Sequence, residues 1–255
     1  MILMIDLGNT NIVFGLFQGN KLIRQWRRPS DRYKKIPHNF KCEGVVVASV
    51  VPVLDAPLRT EIKKRLGANP HFVTGKNIRG LKIRIRNKSE VGADRLVDAL
   101  AAYKLYGGPC LVVDFGTATT FDVISKKGEY LGGIIAPGVA LGRDALYERT
   151  AKLPKVSISA PRSLIGKNTV SAIQSGLVYG YVAMVEGIVK KIKSQIPSHK
   201  SQIKVIATGG LAKLICKYTK VVDRIDTTLT LKGLKMVADD LGLGRKNVGR
   251  TERAA

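Results

Sequence analysis

Short apolar runs alternate with turn residues and helix-like segments along this chain of 255 residues. The stretch LMIDLGNTNIVFGLF at 3–17 has the pattern of two strands around a polar turn, and KLIRQW at 21–26 follows as a third strand. A continuous apolar run, VVVASV at 45–50, then precedes a helical pattern at 53–66. The first part of the chain is therefore predicted to form a sheet with a helix packed on it.

The same order recurs in the second part of the chain. LVVDFGTATTFDVI at 111–124 repeats the first hairpin, with Asp114 at the place of Asp6 and Gly116 at the place of Gly8, an offset of 108 residues. EYLGGIIA at 129–136 supplies the third strand, and KVIAT at 204–208 precedes a helix at 210–217. The pattern predicts an α/β fold of two similar domains, 1–108 and 109–242, followed by a polar, basic tail at 243–255 that we expect to be disordered.

The repeated turns predict more than chain reversal. Each first strand ends in Asp-x-Gly, followed by Asn or Thr, although a hairpin needs only one or two residues that tolerate positive φ. Backbone N–H groups of glycine turns bind anions, and a carboxylate at a strand end can hold a hydrated Mg²⁺ that bridges phosphates. Two such turns at corresponding places indicate a pair of loops that face one cleft and bind ATP.

Other nucleotide-binding motifs do not match. GKNT at 166–169 lacks the upstream glycine of a P-loop, and no G-x-G-x-x-G occurs. DFG at 114–116 has no accompanying HRD or VAIK element of a protein kinase. The hairpins are therefore the candidate phosphate site.

The net charge of +24 is unusual for a chain that is otherwise of ordinary composition, 45% hydrophobic and 24% charged. Eight Lys or Arg residues lie within 21–41, against Asp31 alone. The electrostatic field of so many positive charges attracts polyanions, but no helix-turn-helix, zinc-finger or RNP pattern accompanies these residues. The pattern favours solvated surface over a nucleic-acid interface.

The remaining composition points to a cytoplasmic protein without structural metal. Cys42, Cys110 and Cys216 are isolated, as are the three histidines, which argues against a disulfide framework and a zinc site. The amino-terminal sequence has no signal-peptide pattern, and the longest apolar run, at 45–54, is too short to span a membrane.

Taken together, the motifs resemble the type III pantothenate kinase family, also known through the Bvg accessory factor, within the superfamily of acetate and sugar kinases, Hsp70 and actin. The matching stretches, in family order, are DLGNTN (6–11), EVGADR (90–95), AAYKLYGGP (101–109), VVDFGTATTFDV (112–123), GEYLGGIIAPG (128–138), IGKNTV (165–170), QSGLVYGY (174–181) and ATGG (207–210). The resemblance implies two duplicated ribonuclease-H-like domains with mixed β-sheets, flanking helices and a cleft between them. It also implies ATP-dependent phosphorylation of pantothenate to 4'-phosphopantothenate, the first step of coenzyme A synthesis, by a homodimer.

The resemblance further implies roles for individual residues. Asp94 would be the proton acceptor, and Asp114 would bind a monovalent cation, K⁺ or NH₄⁺. Asp6 would bind Mg²⁺. The implied ATP-binding residues are Asp6, Leu7, Gly8, Asn9, Thr10, Asn11, Ile12, Val13 and Thr117, with ATGG near the adenosine. The implied substrate-binding residues are Gly92, Ala93, Asp94, Arg95 and Thr169, together with Ile85 where many members have tyrosine.

The local sequence agrees with the implied role of Asp94. Leu96, Leu100 and Tyr103 recur at helical spacing in ADRLVDALAAYKLY, so Asp94 lies in the first turn of a helix. The helix dipole there keeps a carboxylate ionised, ready to accept a hydrogen bond from a hydroxyl. Arg95 can bind a carboxylate such as that of pantothenate.

Two segments leave alternatives open. The stretch between residues 27 and 45 is shorter than in the family and cannot hold the usual helix with its loops, so one flank of the first sheet is expected to be exposed. The predicted helix at 170–194 carries Gly176, Gly180, Ala183 and Gly187 on one face, which serves either packing within the chain or a dimer seam. At its start, Asn168 or Thr169 is expected to cap the helix.

Two functional alternatives also stand beside pantothenate phosphorylation. One is a kinase of another small substrate with a hydroxyl or carboxyl group. The other is a non-catalytic regulator that binds nucleic acid through the basic surface.

Overall fold

A computed structural model of the chain describes residues 1–196 and 203–244. Two compact units are present, each assembled from separate stretches. Unit 1 holds Met1–Arg79, Gly92–Val97 and the chain from Leu231 onward, and unit 2 holds Gly80–Val91 and Asp98–Thr230. The domain division at 108 and 109 stays a prediction, as does the tail, of which 245–255 lies outside the described residues.

Unit 1 is built on a five-stranded mixed sheet. Its strands are β1 (Ile2–Leu7), β2 (Asn11–Gln18), β3 (Lys21–Pro29), β4 (Gly44–Ser49) and β5 (Pro70–Phe72). The spatial order is β3-β2-β1-β4-β5. Strand β1 is antiparallel to β2 and parallel to β4, and β4 is parallel to β5. The predicted hairpin and third strand are confirmed.

One face of this sheet is covered by helix α1 (Pro52–Leu66). Proline near the start of the helix and left-handed Gly67 after its end match the usual asymmetry of helix termini. Leu58 and Ile62 of the helix are fully buried against the strand residues that alternate toward this face. The residues on this face of β1 and β2 are Leu3, Ile5, Leu7, Ile12 and Phe14.

The short segment between β3 and β4 covers part of the flank that we expected to be exposed. Ile36 of this segment is buried in the same core, and Tyr33 and Phe40, with Trp26 of β3, pack against it. Strand β3 itself has no buried residue, and Ile23 is 46% exposed, so this edge of the sheet faces solvent.

The opposite face of the sheet carries Met4 and Asp6. Helix α7 (Leu229–Asp240) lies on this face, with Leu231 carbon atoms 2.8 Å from the position of a Cβ on Gly15. Gly233 of α7 in turn lies against the backbone of Val97, in the first turns of helix α2 (Ala93–Tyr106). The start of α2 is thus held on the side of the sheet that carries Asp6.

Unit 2 repeats this architecture. Its strands are β6 (Lys82–Ile83), β7 (Cys110–Phe115), β8 (Ala118–Ile124), β9 (Glu129–Pro137), β10 (Lys204–Thr208) and β11 (Arg224–Ile225), in the order β11-β10-β7-β8-β9-β6. Its further helices are α3 (Val139–Glu148), α4 (Thr169–Ser175), α5 (Tyr181–Gln195) and α6 (Ala212–Cys216). The series β9-β8-β7-β10-β11 matches β3-β2-β1-β4-β5 in both order and direction. The predicted duplication of an α/β unit is confirmed.

Helices α4 and α5 are joined by a π-helical turn, Gly176–Gly180, into one helix from Thr169 to Gln195. Val182, Val185 and Val189 of this helix are buried against the sheet of unit 2. By length and composition alone this helix could cross a membrane, but 39% of the relevant window is buried and a core helix of a soluble protein meets the same criterion.

The small-residue face of this helix is exposed. Gly176, Gly180, Ala183 and Gly187 all lie at the surface, and no described atom comes within 4 Å of a Cβ built on any of the three glycines. Within the described residues, nothing from the chain packs on this face, so packing inside the chain does not account for its composition.

Candidate functional site

The first candidate site is the turn between β1 and β2. The Gly8 N–H donates to the Asn11 carbonyl at 3.0 Å and closes the turn, leaving Asn9 and Thr10 exposed. Ser30, just after β3, donates its hydroxyl to the Gly8 carbonyl at 2.6 Å and its N–H to the Thr10 carbonyl at 3.1 Å. The neighbouring strand thus fixes the shape of the turn.

The side chains predicted to bind ATP fall into two groups. Asp6 and Asn11 are half-buried at the strand ends, so their polar atoms remain close to the surface of the turn. Leu7, Ile12 and Val13 have buried side chains, so only their main-chain atoms could face a nucleotide.

The segment around Asp94 lies beside the carboxyl end of β1. The Val50 N–H donates to the Leu7 carbonyl at 3.0 Å, and Val50 Cγ1 lies 3.2 Å from the position of a Cβ on Gly92. The carboxylate of Asp94 borders the same position, so residue 92 has no room for a side chain. Val50 therefore contacts both the end of β1, just before the first turn, and the segment Gly92–Asp94.

Asp94 occupies the first turn of α2, as predicted. Its Oδ1 accepts a hydrogen bond from the Arg95 N–H at 2.7 Å, and the Leu96 N–H donates to the Gly92 carbonyl at 3.2 Å. Ala93 is buried and anchors the turn, whereas Asp94 and Arg95 are half-buried. A carboxylate at this end of a helix is stabilised in its charged form, which a proton acceptor needs.

The second turn, between β7 and β8, is fixed in a similar way. The Gly116 N–H donates to the Ala118 carbonyl and the Gly138 N–H donates to the Thr117 carbonyl, both at 3.1 Å. The Leu211 N–H donates to the Phe115 carbonyl at 3.4 Å, which joins the turn to the loop after β10. Thr117 is exposed at the tip of the turn.

Asp114 is half-buried at the end of β7, in register with Thr120 of β8 and Thr208 of β10. Its carboxylate lies against Gly209, which has a φ of 90°. A Cβ on residue 209 would overlap Asp114 Oδ1 and lie 2.6 Å from the Phe115 nitrogen. The ATGG loop therefore comes close to Asp114 only because it lacks side-chain atoms at this position.

The other predicted substrate contacts lie in unit 2. Ile85 is half-buried beside β9, with its Cγ2 3.6 Å from the position of a Cβ on Gly132. Thr169 is exposed as the first residue of α4. Asn168 caps this helix by accepting from the Ser171 N–H at 2.9 Å, so one of the two predicted capping residues is confirmed.

Sequence reasoning missed the two residues that hold the turns, Ser30 and Gly138. They are separated by the same 108 residues that relate Asp6 to Asp114. That offset was the available signal, because a duplicated unit repeats its contacts as well as its strands.

The isolated cysteines have the properties of unreactive thiols. Burial raises the pKa of Cys110 to about 12 and that of Cys216 to about 11. Because a thiol reacts as its thiolate, these groups are poor nucleophiles at neutral pH. Among the described residues no group of three or more His, Cys, Asp or Glu side chains could hold a metal ion.

A protein-family model described as type III pantothenate kinase matches residues 2–191. A type III pantothenate kinase of Moorella thermoacetica is 49% identical over 253 residues, covering 93% of this chain and 98% of the relative. The corresponding protein of Bacillus cytotoxicus is 46% identical, with coverages of 93% and 95%.

Solved structures agree with the fold. A conserved Baf family transcriptional activator from Campylobacter jejuni has a TM-score of 0.63 at 22% identity, covering 94% of this chain and 98% of that one. A 2-dehydro-3-deoxygalactonokinase protein from Sinorhizobium meliloti has a TM-score of 0.58 at 11% identity, covering 97% and 99%. At these identities the two similarities concern the fold alone.

Proposed function

Because this chain belongs to the type III pantothenate kinase family, we propose that the residues described above carry out the family's reaction. The chain is an ATP-dependent kinase that phosphorylates pantothenate, the first step of coenzyme A synthesis. The observation that best supports the assignment of residues is that Val50 contacts both the end of β1, before the first turn, and Gly92. A phosphate-binding turn and a proton acceptor are the two parts that phosphoryl transfer to an alcohol requires.

Asp94 is proposed to accept the proton of the attacking hydroxyl. Its place in the first turn of α2 favours the ionised form, and the Arg95 N–H holds its Oδ1. Arg95 is proposed to bind the carboxylate of pantothenate, since a guanidinium matches a carboxylate with two parallel hydrogen bonds. Gly92, Ala93, Thr169 and Ile85 complete the proposed substrate contacts.

The turn residues from Asp6 to Val13, with Thr117, are proposed to bind ATP. The positions of Asn9 and Thr10 at an exposed, fixed turn support this role, because preformed N–H groups bind phosphate without further ordering. Asp6 is proposed to hold Mg²⁺, which neutralises phosphate charge when bound; a half-buried carboxylate at a strand end is a suitable hard oxygen ligand.

Asp114 is proposed to bind a monovalent cation, K⁺ or NH₄⁺. Its carboxylate faces glycine backbone at Gly116 and Gly209, and backbone carbonyl groups are ligands that K⁺ accepts.

A homodimer is proposed to form through unit 2. Exposed apolar side chains lie on β9, on α3, and before and within α4, in addition to the exposed small-residue face of the helix from Thr169 to Gln195. They are Leu131, Ile134, Ile135, Leu141, Leu146, Tyr147, Leu164, Ile165 and Val170. Exposed apolar patches of this kind usually mark an interaction surface, and small residues let a second helix approach closely.

The dimer is testable at Ala183. We expect Ala183→Arg to convert a dimer to a monomer in light scattering coupled to gel filtration, because the long charged side chain would occupy the small-residue face. Gln195→Arg is the matched control: this exposed position lies about 120° around the same helix. Dimers of equal stability in both variants would contradict the proposed seam.

Nucleic acid is not proposed as a specific partner, and the protein is proposed to act in the cytoplasm. None of the eight basic side chains within 21–41 forms an ion pair with a described residue, as is usual for solvated charges. Oligonucleotide binding that persists at high salt would contradict this reading, because counterion release alone weakens steeply with salt.

One assay tests the proposed reaction and its cation requirement. We expect ADP to form only when pantothenate, Mg²⁺ and K⁺ or NH₄⁺ are all present, with a product heavier than pantothenate by one phosphoryl group. A panel of other hydroxyl and carboxyl acceptors serves as the control. Faster turnover of another acceptor would favour the alternative kinase, and turnover independent of K⁺ and NH₄⁺ would contradict the role of Asp114.

A further inference from the structure

Arg27 lies in the same row of the first sheet as Asp6. Asp6 of β1 pairs directly with Val13 of β2, and Val13 pairs directly with Arg27 of β3. Residues directly opposite each other in antiparallel strands project to the same face. Arg27 therefore stands on the face that carries Asp6, about 10 Å from it across two strand spacings.

Arg27 lies at the exposed end of this row. Leu231, near the start of α7, lies over Gly15, one row farther from the turn. In the row of Asp6, Val13 is buried, whereas Arg27 is exposed at the edge strand. An arginine side chain is long enough to reach from this exposed edge toward the turn that Gly8, Asn9 and Thr10 form.

The side chain of Arg27 takes no part in the polar contacts that stabilise the described fold. No ion pair or hydrogen bond of its side chain occurs with any residue in 1–196 or 203–244. An arginine without a protein partner keeps all five of its N–H donors available for an anion.

The first turn needs such a cation. From Asp6 to Asn20 the chain has no Lys or Arg and one carboxylate, that of Asp6. The terminal phosphates of ATP bring several negative charges to this place, and phosphoryl transfer depends on neutralising them. A bound Mg²⁺ neutralises part of the phosphate charge, and a nearby arginine side chain neutralises more.

We propose that Arg27 binds the terminal phosphates of ATP above the first turn. This inference rests on the proposed function, because it assumes that ATP phosphates occupy that turn. Arg27 is then a further phosphate-binding residue, which holds the anionic end of the nucleotide opposite Asp6.

Arg28 provides a matched control one residue away. It pairs with Ile12, so it projects to the other face of the sheet, where α1 packs. Its buried Nε has no hydrogen-bond partner among the described residues, so its removal breaks no bond of the fold. Both arginines also contribute the same charge to the edge strand, which separates a local contact from a general effect of charge.

The experiment compares Arg27→Ala, Arg27→Lys and Arg28→Ala by calorimetric titration with ATP and with adenosine. We expect Arg27→Ala to weaken ATP binding by about 10- to 100-fold, the loss typical of a charge-assisted hydrogen bond, with adenosine binding unchanged. Arg27→Lys should fall between wild type and Arg27→Ala because lysine keeps the charge without the bidentate geometry. Arg28→Ala should stay within about twofold of wild type in ATP affinity, because its side chain projects to the face of the sheet opposite Asp6.

Steady-state kinetics on the same proteins separate this inference from the function on which it rests. A wild-type protein that binds ATP but does not phosphorylate pantothenate would contradict the proposed function and leave the Arg27 titration valid. Equal ATP affinities for Arg27→Ala and Arg28→Ala would overturn the inference, and so would an equal loss of ATP and adenosine binding. A wild-type protein that binds no ATP would overturn both.

Discussion

Replacement of Asp94 by asparagine is expected to lower kcat by about 10²- to 10⁴-fold, the usual contribution of a positioned general base. Asparagine keeps an oxygen acceptor for the Arg95 N–H but cannot take the proton of the attacking hydroxyl. Stopped assays of phosphopantothenate formation at saturating ATP and pantothenate measure the change. The KM for ATP should remain close to that of wild type, since the first turn is untouched.

Glu90→Gln is the control for the loss of one carboxylate near α2. Glu90 is exposed, accepts a hydrogen bond from Asn87 and is assigned no role in the proposed reaction. We expect its turnover to be that of wild type, and thermal unfolding should show that both variants are folded. Near-normal turnover of Asp94→Asn would show that another group accepts the proton.

Replacement of Gly209 by alanine is expected to have the second large effect, this time on stability as well as activity. The new methyl group would overlap the Asp114 carboxylate and the Phe115 backbone, and residue 209 has a φ of 90°. Backbone atoms cannot move aside cheaply, so the free energy of unfolding should fall by about 4 kcal/mol or more, at the extreme of single substitutions. Urea unfolding measures this loss.

Gly107→Ala separates backbone strain from the clash. Gly107 has a φ of 77°, but apart from its chain neighbours no atom of the described residues lies within 4 Å of the position of its Cβ. Its replacement should cost only the strain of a left-handed residue, about 1–2 kcal/mol. If Gly209→Ala were no more destabilising than Gly107→Ala, the close approach of the ATGG loop to Asp114 would be wrong. Any variant of Gly209 that folds should also show a weaker response of turnover to K⁺.

Much of this protein could be predicted from local patterns. The hairpins around Gly8 and Gly116, their third strands, and the helix that starts near Asp94 all follow from apolar periodicity and turn residues, and the structure places them as expected. The partial cover of the flank beside β3 could not be predicted, because periodicity detects only regular elements. Ile36 covers the core from an irregular segment, which has no period to detect.

The two duplicated α/β units follow from the order of apolar and polar residues, because strand and helix periods depend only on which positions along the chain are apolar. The same order places the acids at the strand ends and at the start of α2. Three features came from the folded structure alone: Val50 contacts both the end of β1 and Gly92, Ser30 and Gly138 hold the two turns, and Arg27 shares a face with Asp6 while Arg28 does not. These facts depend on strand register and on contacts between distant residues, and neither leaves a period in the sequence.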